Sequence, residues 1–319
     1  MTLTASAPER AQRPARLPRR PVDGVLLLDK PEGLTSNAAL QRARRALRAE
    51  KAGHTGTLDP AATGLVALCF GEATKFSGAL LDADKAYRAV VQLGVTTTTG
   101  DREGEVLERR EARVDPAQVE AALARFRGVI RQVPPMHSAI KLGGTPLYAY
   151  ARKGQQVERA PREVVVHALE LERLEGDRLH LAIRCGKGTY VRTLAEDIGA
   201  ALGCGAHLAE LRRTAVGPFG LSGAVALERF EEMGEAERLA CLLAVDALLS
   251  RLPALVLGAP QARRMRHGQP VLTEAGREPG PVRLYDEAGV FLGLGEVVSG
   301  GVINPKRLVA EAPGSEASP

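Results

Sequence analysis

The sequence predicts an α/β (α+β) protein in which helices flank a mixed, largely antiparallel sheet and a small β domain follows at the C-terminus. Segments of strand and helix character alternate over most of the chain, which is typical of a sheet covered by helices. Residues 164–174 and 179–184 predict two strands joined by a turn at 175–177, and the second strand alternates with period two. After Leu252-Pro253 short strands separated by glycines indicate a separate β unit.

Local signals predict the individual elements. Asp115 followed by Pro116 is a typical helix start, and a helix is also indicated where leucine and isoleucine recur four residues apart near position 198. In chain order we predict a strand at 25–28, a helix at 40–48, a strand at 86–95 with a turn at 99–101, a helix from 115 to about 126, the strand pair described above, a helix at 190–202, and short strands at 282–285 and 290–294.

Composition predicts the domain boundaries. Residues 1–22 are rich in Arg, Pro and Ala and are expected to form a disordered basic tail, with a second short tail at 311–319. The large domain then covers residues 23–250, and the small β domain covers 251–310. An insertion is predicted at about 127–160, because a proline pair and a glycine pair interrupt any regular pattern there.

Composition also excludes several protein classes. No apolar run approaches the ~20 residues of a membrane span, and the first twenty residues lack the apolar stretch of a signal peptide. The four cysteines form no Cys-x-x-Cys pair, and Cys204 with His207 is too small a donor set for a metal ion. We therefore expect a cytoplasmic protein with reduced thiols, no membrane contact and no metal.

Basic residues are unevenly distributed. The formal net charge is +5, and the first twenty residues alone contribute five Arg against Glu9. A basic helix is ordinarily just a solvated surface. Here, however, two basic groups flank loops, and the second surrounds Tyr148 and Tyr150, as recognition of looped RNA tends to require. We therefore expect both groups to contact phosphate. The first group is Arg42, Arg44, Arg45, Arg48 and Lys51; the second is Arg125, Arg127, Arg131, Lys141, Arg152, Lys153 and Arg159.

The most informative segment runs from Gly53 to Gly64 and contains a single carboxylate, Asp59. An Asp followed by Pro commonly starts a helix, so an N-cap is the ordinary interpretation of Asp59. Three glycines nevertheless let the backbone approach a ligand closely, and His54 adds a polar ring five residues before the acid. No second acid lies near Asp59 in the sequence, which favours a lone nucleophilic or orienting carboxylate.

Several separated blocks resemble the TruB family of pseudouridine synthases, which isomerise uridine 55 in the T-arm loop of tRNA. Their order and spacing agree with the family over about residues 24–219. The resemblance implies the pseudouridine synthase fold, an insertion that grips RNA, and a C-terminal domain similar to RNA-binding PUA modules. The blocks are residues 28–36 (Leu-Asp-Lys-Pro-Glu-Gly-Leu-Thr-Ser), 53–59 (Gly-His-Thr-Gly-Thr-Leu-Asp), 84–87 (Asp-Lys-Ala-Tyr), 187–194 (Lys-Gly-Thr-Tyr-Val-Arg-Thr-Leu) and 205–213.

The resemblance implies chemical roles for three residues. Asp59 is the nucleophile, and Arg192 is the cation that keeps its carboxylate ionised. Tyr87 stacks on the flipped uracil and assists the movement of the C5 proton. Without the resemblance, Tyr87 is explained as a packing aromatic of a strand. The alternative for Arg192 is a surface residue on the first turn of a helix, but that end of a helix is unfavourable for a cation, which favours a specific role. The residues leave open whether Asp59 attacks C1′ of the ribose or C6 of the base.

Four further residues are implied to contact or support the substrate. His54 stacks into the space that the flipped nucleotide vacates, and Tyr190 and Leu211 line the pocket of the base. Lys30 is grouped with them, as either an exposed turn lysine or a support of the pocket floor. The isomerisation begins and ends with the same atoms, so no cofactor is expected, and the sequence has no phosphate-binding or dinucleotide-binding motif.

The expected partner is the T-arm stem-loop of tRNA, and we expect a monomer because the RNA must wrap a wide surface. Two other functions stay open: a tRNA-binding folding factor in which Asp59 is only a cap, and a phosphatase or glycosidase. A glycosidase should show a second carboxylate, and none accompanies this loop. The chain departs from the usual family residues at Ala38, Thr57, Ala61 and Thr98, none of which has a predicted chemical role.

Overall fold

The large domain is built on one mixed sheet. Of the predicted tails, residues 1–17 and 311–319 lie outside the described part of the chain. Arg20, placed in the basic tail by composition, is ordered: its backbone N donates to Arg48 O at 2.8 Å, and its guanidinium pairs with Glu235. None of the described helices is long and apolar enough to cross a membrane. The computed structural model describes residues 18–138, 140–151, 153–273 and 277–310.

The described α-helices of the large domain are α1 (Ser36–Leu47), α2 (Gly78–Leu81), α3 (Pro116–Ala124), α4 (Leu147–Ala151), α5 (Val191–Ala201), α6 (Leu227–Glu232) and α7 (Glu235–Ala240), and short 3-10 helices lie at Gly71–Phe76, Leu221–Gly223 and Val245–Leu249. The strands are β1 (Gly24–Lys30), β2 (Ala52–His54), β3 (Thr63–Phe70), β4 (Lys85–Leu93), β5 (Val95–Thr97), β6 (Val106–Arg109), β7 (Gly128–Gln132), β8 (Lys141–Leu142), β9 (Thr145–Pro146), β10 (Arg162–Glu175), β11 (Arg178–Cys185), β12 (Ala206–Val216), β13 (Phe219–Gly220), β14 (Val225–Ala226) and β15 (Leu242–Leu243).

Eleven of the described strands form the predicted mixed, largely antiparallel sheet. Its order is β14-β1-β3-β12-β4-β11-β10-β7, with β2, β13 and β15 paired beside this path. Among these strands, β1 with β14 and β3 with β12 are the parallel pairs. The predicted strand pair is present as β10 and β11, with Glu175 opposite Arg178 at the turn.

Helix ends follow from local capping. α1 begins at Ser36, four residues before the predicted start, because the Thr35 hydroxyl accepts a hydrogen bond from Ala38 N at 3.0 Å. α3 begins where predicted, and Asp115 and Gln118 form a reciprocal capping box at its first turn.

The Asp59-Pro60 step does not start a helix, so the N-cap interpretation is wrong. Residues 60 and 61 form a turn, closed by a hydrogen bond from Ala62 N to Asp59 O at 3.1 Å, and β3 follows at once. β3 lies between β1 and β12 and is buried along almost its whole length. Burial of a central strand thus overrides the local preference of Asp-Pro.

Two hydrophobic clusters lie on the same face of the sheet. One forms under α3 and α5 against β4, β10, β11 and β12, and the other under α1 and α6 against β1 and β3. Tyr87 and Leu211 pack at the edge of both clusters. A cleft therefore runs across the middle of the sheet, and its floor is formed by these two side chains.

The predicted small β domain is confirmed. Its strands are ordered β16-β18-β19-β20-β17, and α8, which the sequence did not reveal, packs on them. The domain contacts the large one through Phe291, whose ring meets Phe76 edge-on at 5.5 Å, and through Tyr285, whose hydroxyl donates to Asp246 at 2.5 Å. The elements are β16 (Ala254–Leu257), α8 (Ala259–Arg266), β17 (Val271–Leu272), β18 (Gly280–Asp286), β19 (Phe291–Val298) and β20 (Val302–Leu308).

The basic residues of α1 are largely engaged within the protein. Arg42 forms a bidentate pair with Glu231 at the end of α6, and Arg48 pairs with Glu235 at the start of α7. Arg44 donates to the carbonyl of Ala49 at 3.1 Å. The two ion pairs join α6 and α7 to α1. All three arginines thus have partners within the protein, so the structure does not support the prediction that the first basic group contacts phosphate through them.

Gly64 gives a direct test of how tightly the centre of the sheet is packed. Its φ is +104°, and a Cβ there would lie 2.3 Å from Arg213 O, whereas a Cβ on Gly53 would meet nothing within 4 Å. We expect Gly64→Ala to lower the free energy of unfolding by about 3 kcal/mol or more, because backbone must move. Gly53→Ala, the matched control, should change it by less than about 1 kcal/mol. Urea denaturation would measure both changes. Equal denaturation midpoints for the two variants would contradict the close approach of Gly64 to the Arg213 backbone.

Candidate active site

A pocket of about 310 Å³ opens in the cleft at the centre of the sheet. Its lining includes five of the seven predicted site residues, namely Asp59, Tyr87, Tyr190, Arg192 and Leu211. They come from the loop before β3, from β4, from the start of α5 and from β12. The sheet thus brings together side chains that lie up to about 150 residues apart in the sequence.

Asp59 and Arg192 form an ion pair in this pocket. Arg192 Nε lies 3.1 Å from Asp59 Oδ2. The Arg192 side chain is only 7% exposed, whereas the Asp59 side chain keeps 40% of its surface exposed toward the pocket. Arg192 is therefore fixed by the protein, and the carboxylate is the partner that a ligand can reach.

A second acid, which local sequence did not reveal, shares the same guanidinium. Asp101 Oδ2 lies 3.6 Å from Arg192 Nη1, and its other oxygen accepts a hydrogen bond from Thr99 Oγ1 at 2.5 Å. Arg192 also donates to the carbonyls of Thr99 and His137, at 3.4 and 2.8 Å. No second acid is close to Asp59 in the sequence, but the turn after β5 folds back onto α5 and brings Asp101 to the same guanidinium.

Burial raises the pKa of the Asp59 carboxyl above its usual value, and the Arg192 guanidinium acts in the opposite direction. The neighbouring Asp101 raises this pKa further. Arg192 thus holds one oxygen of the carboxylate, while the exposed part of the side chain stays accessible from the pocket. A carboxylate in this position is suited to nucleophilic attack.

The loop that carries Asp59 is supported from below. The Ser36 hydroxyl donates to Leu58 O at 3.1 Å and accepts from Leu58 N at 2.8 Å, so it holds the peptide next to Asp59. Lys30 is fully buried, and its ammonium group donates to the carbonyls of Pro31, Leu34 and Pro60. Lys30 is therefore a support of the loop, and the alternative of an exposed turn lysine is wrong.

Arg213 is a further residue at the site that sequence reasoning missed. Its side chain is buried, and it donates to Leu65 O at 2.7 Å and to Gly56 O at 3.2 Å. Burial raises the pKa of the Tyr87 phenol, although the adjacent Arg213 guanidinium acts in the opposite direction. Tyr87 is thus a neutral phenol at neutral pH. Arg213 belongs to the block at 205–213 that resembles the family, but nothing in the sequence indicated its role.

His54 lies on β2, outside the lining of this pocket. Its Nδ1 is buried without a hydrogen-bond partner among the described residues. Burial and the positive charge of Arg213 lower the pKa of this imidazole, so the ring is neutral at neutral pH. A neutral, partly exposed ring can stack without the cost of desolvating a charge.

The predicted insertion reaches the pocket at its first residues. Gln132 at the end of β7 is buried, and its side-chain amide both accepts from Tyr190 N at 3.0 Å and donates to Tyr190 O at 3.3 Å. Five residues later, His137 and Ser138 join the lining of the pocket. Within the described residues, no cluster of three or more His, Cys, Asp or Glu side chains could hold a metal ion.

Solved structures share this fold. The chain superimposes on "Crystal Structure of a Cbf5-Nop10-Gar1 Complex" with a TM-score of 0.70 and 27% identity, over 89% of this chain and 84% of that one. A second structure, "Structure of H/ACA RNP bound to a substrate RNA containing 2'-deoxyuridine", gives a TM-score of 0.69 at 24% identity, over 95% and 93% of the two chains. Together with the Asp59–Arg192 pair in the pocket of the central cleft, the fold defines a pseudouridine synthase, which is an isomerase.

Family models cover most of the chain. "TruB family pseudouridylate synthase (N terminal domain)" matches residues 44–191, "tRNA pseudouridylate synthase B C-terminal domain" matches 192–250, and "Pseudouridine synthase II TruB, C-terminal" matches 253–309. The "tRNA pseudouridine synthase B" of Stutzerimonas stutzeri is 58% identical, over 91% of this chain and 97% of its own, and that of Dechloromonas aromatica is 56% identical, over 90% and 96%. The chain belongs to the TruB family of pseudouridine synthases, as its sequence blocks predicted.

The role of Arg192 can be tested through the titration of Asp59. We expect Arg192→Gln to raise the pKa of the Asp59 carboxyl further, because the largest opposing charge is lost. Carbon-detected NMR of aspartate carboxyl groups would follow this titration. Arg212→Gln is a matched control, because Arg212 pairs with Asp29 at 2.7 Å. If both variants leave the Asp59 titration unchanged, the ion pair is not formed in solution.

Proposed function

We propose that this protein isomerises uridine 55 in the T-arm loop of tRNA to pseudouridine, in the cytoplasm, with Asp59 as the nucleophile. The observation that carries the proposal is the half-exposed Asp59 carboxylate, held at 3.1 Å by the buried Arg192 at the centre of a pocket. The names of the relatives, which are tRNA pseudouridine synthases, support tRNA as the substrate.

The reaction requires the target base to leave its stack, at a cost of a few kcal/mol. The neutral His54 ring would fill the vacated space, while the uracil enters the pocket beside Tyr87, Tyr190 and Leu211. Asp59 then attacks C1′ or C6. On either route the N1–C1′ bond breaks, the base rotates in place, and C5 bonds to C1′.

Proton transfer completes the isomerisation: the proton on C5 is lost, and N1 of the rotated base gains one. Tyr87 stacks on the base, and its phenol stays protonated because burial raises its pKa. It is therefore suited to hold or relay a proton through its hydroxyl rather than to act as an ionised base. Arg192 stabilises the charge on Asp59 before attack and after release.

RNA binding is assigned to surfaces around the cleft. Lys141 and Lys153 are exposed on the insertion, whose His137 and Ser138 line the pocket, and they are suited to phosphate contact. The C-terminal β domain, which resembles PUA modules, would contact RNA farther from the target base. We propose a monomer, since the cleft and both surfaces lie on one chain.

Asp59→Asn tests the proposed nucleophile. With an unmodified tRNA transcript, we expect this variant to lose at least about 10³-fold in kcat/KM, because an amide cannot attack carbon, while tRNA binding is retained. Pseudouridine would be scored by carbodiimide-dependent primer extension. Asp115→Asn is the control and should keep full activity, because Asn can also cap α3.

The same assay separates the alternatives. Conversion by Asp59→Asn at the wild-type rate would remove the catalytic assignment. If neither protein converts the transcript while both bind it, a tRNA-binding folding factor is the better description.

The pH dependence follows from two groups. Asp59 must be ionised to attack, so the rate should fall with decreasing pH already above the ordinary aspartate pKa of 3.8, because burial raises its pKa. Burial lowers the pKa of Lys30 to about 8, so its ammonium loses a proton above that pH. It can then no longer donate all three of its hydrogen bonds, one of which reaches the Asp59 loop at Pro60 O. Single-turnover rates should therefore show a maximum between the two limbs. A profile that stays flat through both limbs would contradict these roles.

A further inference from the structure

Ser138 has a hydroxyl group that the proposed mechanism does not use. Its residue is only 6% exposed, and its Oγ has no hydrogen-bond partner within the described part of the chain. A buried hydroxyl without a partner destabilises the folded state, so proteins rarely keep one without a reason. Ser138 lines the same pocket as Asp59, Tyr87 and Arg192.

The backbone on both sides holds Ser138 against the pocket. The carbonyl of His137 accepts from Arg192 Nη2 at 2.8 Å, and the carbonyl of Ser138 accepts from Tyr148 N at 3.1 Å. Farther back, the Gln132 amide is paired with the Tyr190 backbone. The hydroxyl is thus positioned through Arg192, the residue that also holds Asp59.

Three other polar side chains that line the pocket already have protein partners. Arg213 donates to the carbonyls of Leu65 and Gly56, and the Lys85 ammonium donates to Leu81 O and Ala83 O. The Thr189 hydroxyl donates to Gly186 O at 3.1 Å. The Ser138 hydroxyl is therefore a neutral donor that is still available to a ligand.

A uracil presents two carbonyl oxygens, O2 and O4, and one N3–H group to its surroundings. We propose that the Ser138 hydroxyl donates a hydrogen bond to one of these carbonyl oxygens, which makes Ser138 a base-contacting residue of the reaction. The inference rests on the proposed function, since it requires the target uracil to occupy this pocket.

The test uses synthetic T-arm stem-loops that carry uridine, 2-thiouridine or 4-thiouridine at the target position, because sulfur is a weaker acceptor than oxygen. With uridine, Ser138→Ala should lower kcat/KM about tenfold, which corresponds to one hydrogen bond. With the thio-substrate whose replaced atom makes the contact, wild type and Ser138→Ala should differ by less than about threefold. Ser138→Thr, which keeps the hydroxyl, should respond to the thio-substrates as wild type does, and exposed Ser222→Ala should match wild type throughout.

An equal loss on all three substrates would show that Ser138 acts only through the packing of the insertion, and this would overturn the inference. No loss with Ser138→Ala on uridine would overturn it as well. Failure of the proposed function has a different signature, because wild type itself would then leave the uridine stem-loop unconverted; that result also removes the inference.

Discussion

The buried guanidinium of Arg192 is the constraint around which the site is arranged. It lies in the first turn of α5, where the helix dipole opposes a positive charge, and it is almost completely removed from water. Such a cation is stable only if acids and carbonyl groups surround it. Asp59, Asp101, Thr99 and His137 supply them, so the loop before β3, the turn after β5, the insertion and α5 must all meet at one point.

The centre of the sheet fixes where that point lies. β3 pairs with β1 on one side and with β12 on the other, and the close approach of Gly64 to the Arg213 backbone leaves no space for a side chain. Because Asp59 precedes β3 by only a few residues, the position of this strand fixes where the Asp59 loop lies relative to the sheet. Ser36 and Lys30 then hold that loop through backbone groups, which leaves the acid itself to face the cleft.

Much of this organisation could be predicted from the sequence. The strand pair at 162–185, the helix that starts beside Tyr190 and the gathering of Asp59, Tyr87 and Arg192 follow from local patterns and recognisable blocks. Contacts between segments that lie far apart in the sequence could not be predicted. Asp101 is remote from Asp59 in sequence, and the Asp-Pro step has the same local signal whether a helix or a central strand follows.

The arginines of α1 illustrate how a charge count can mislead. Arg42 and Arg48 are neutralised by carboxylates of α6 and α7, which lie nearly 190 residues away in the chain. A compensated surface of this kind neutralises few phosphates and therefore releases few of the cations that are condensed on a polyanion. Ionic strength would consequently act on complex formation mainly through the other cationic regions. The pairs that join α1 to α6 and α7 keep about a third or more of each side chain exposed, so salt would weaken these internal contacts instead.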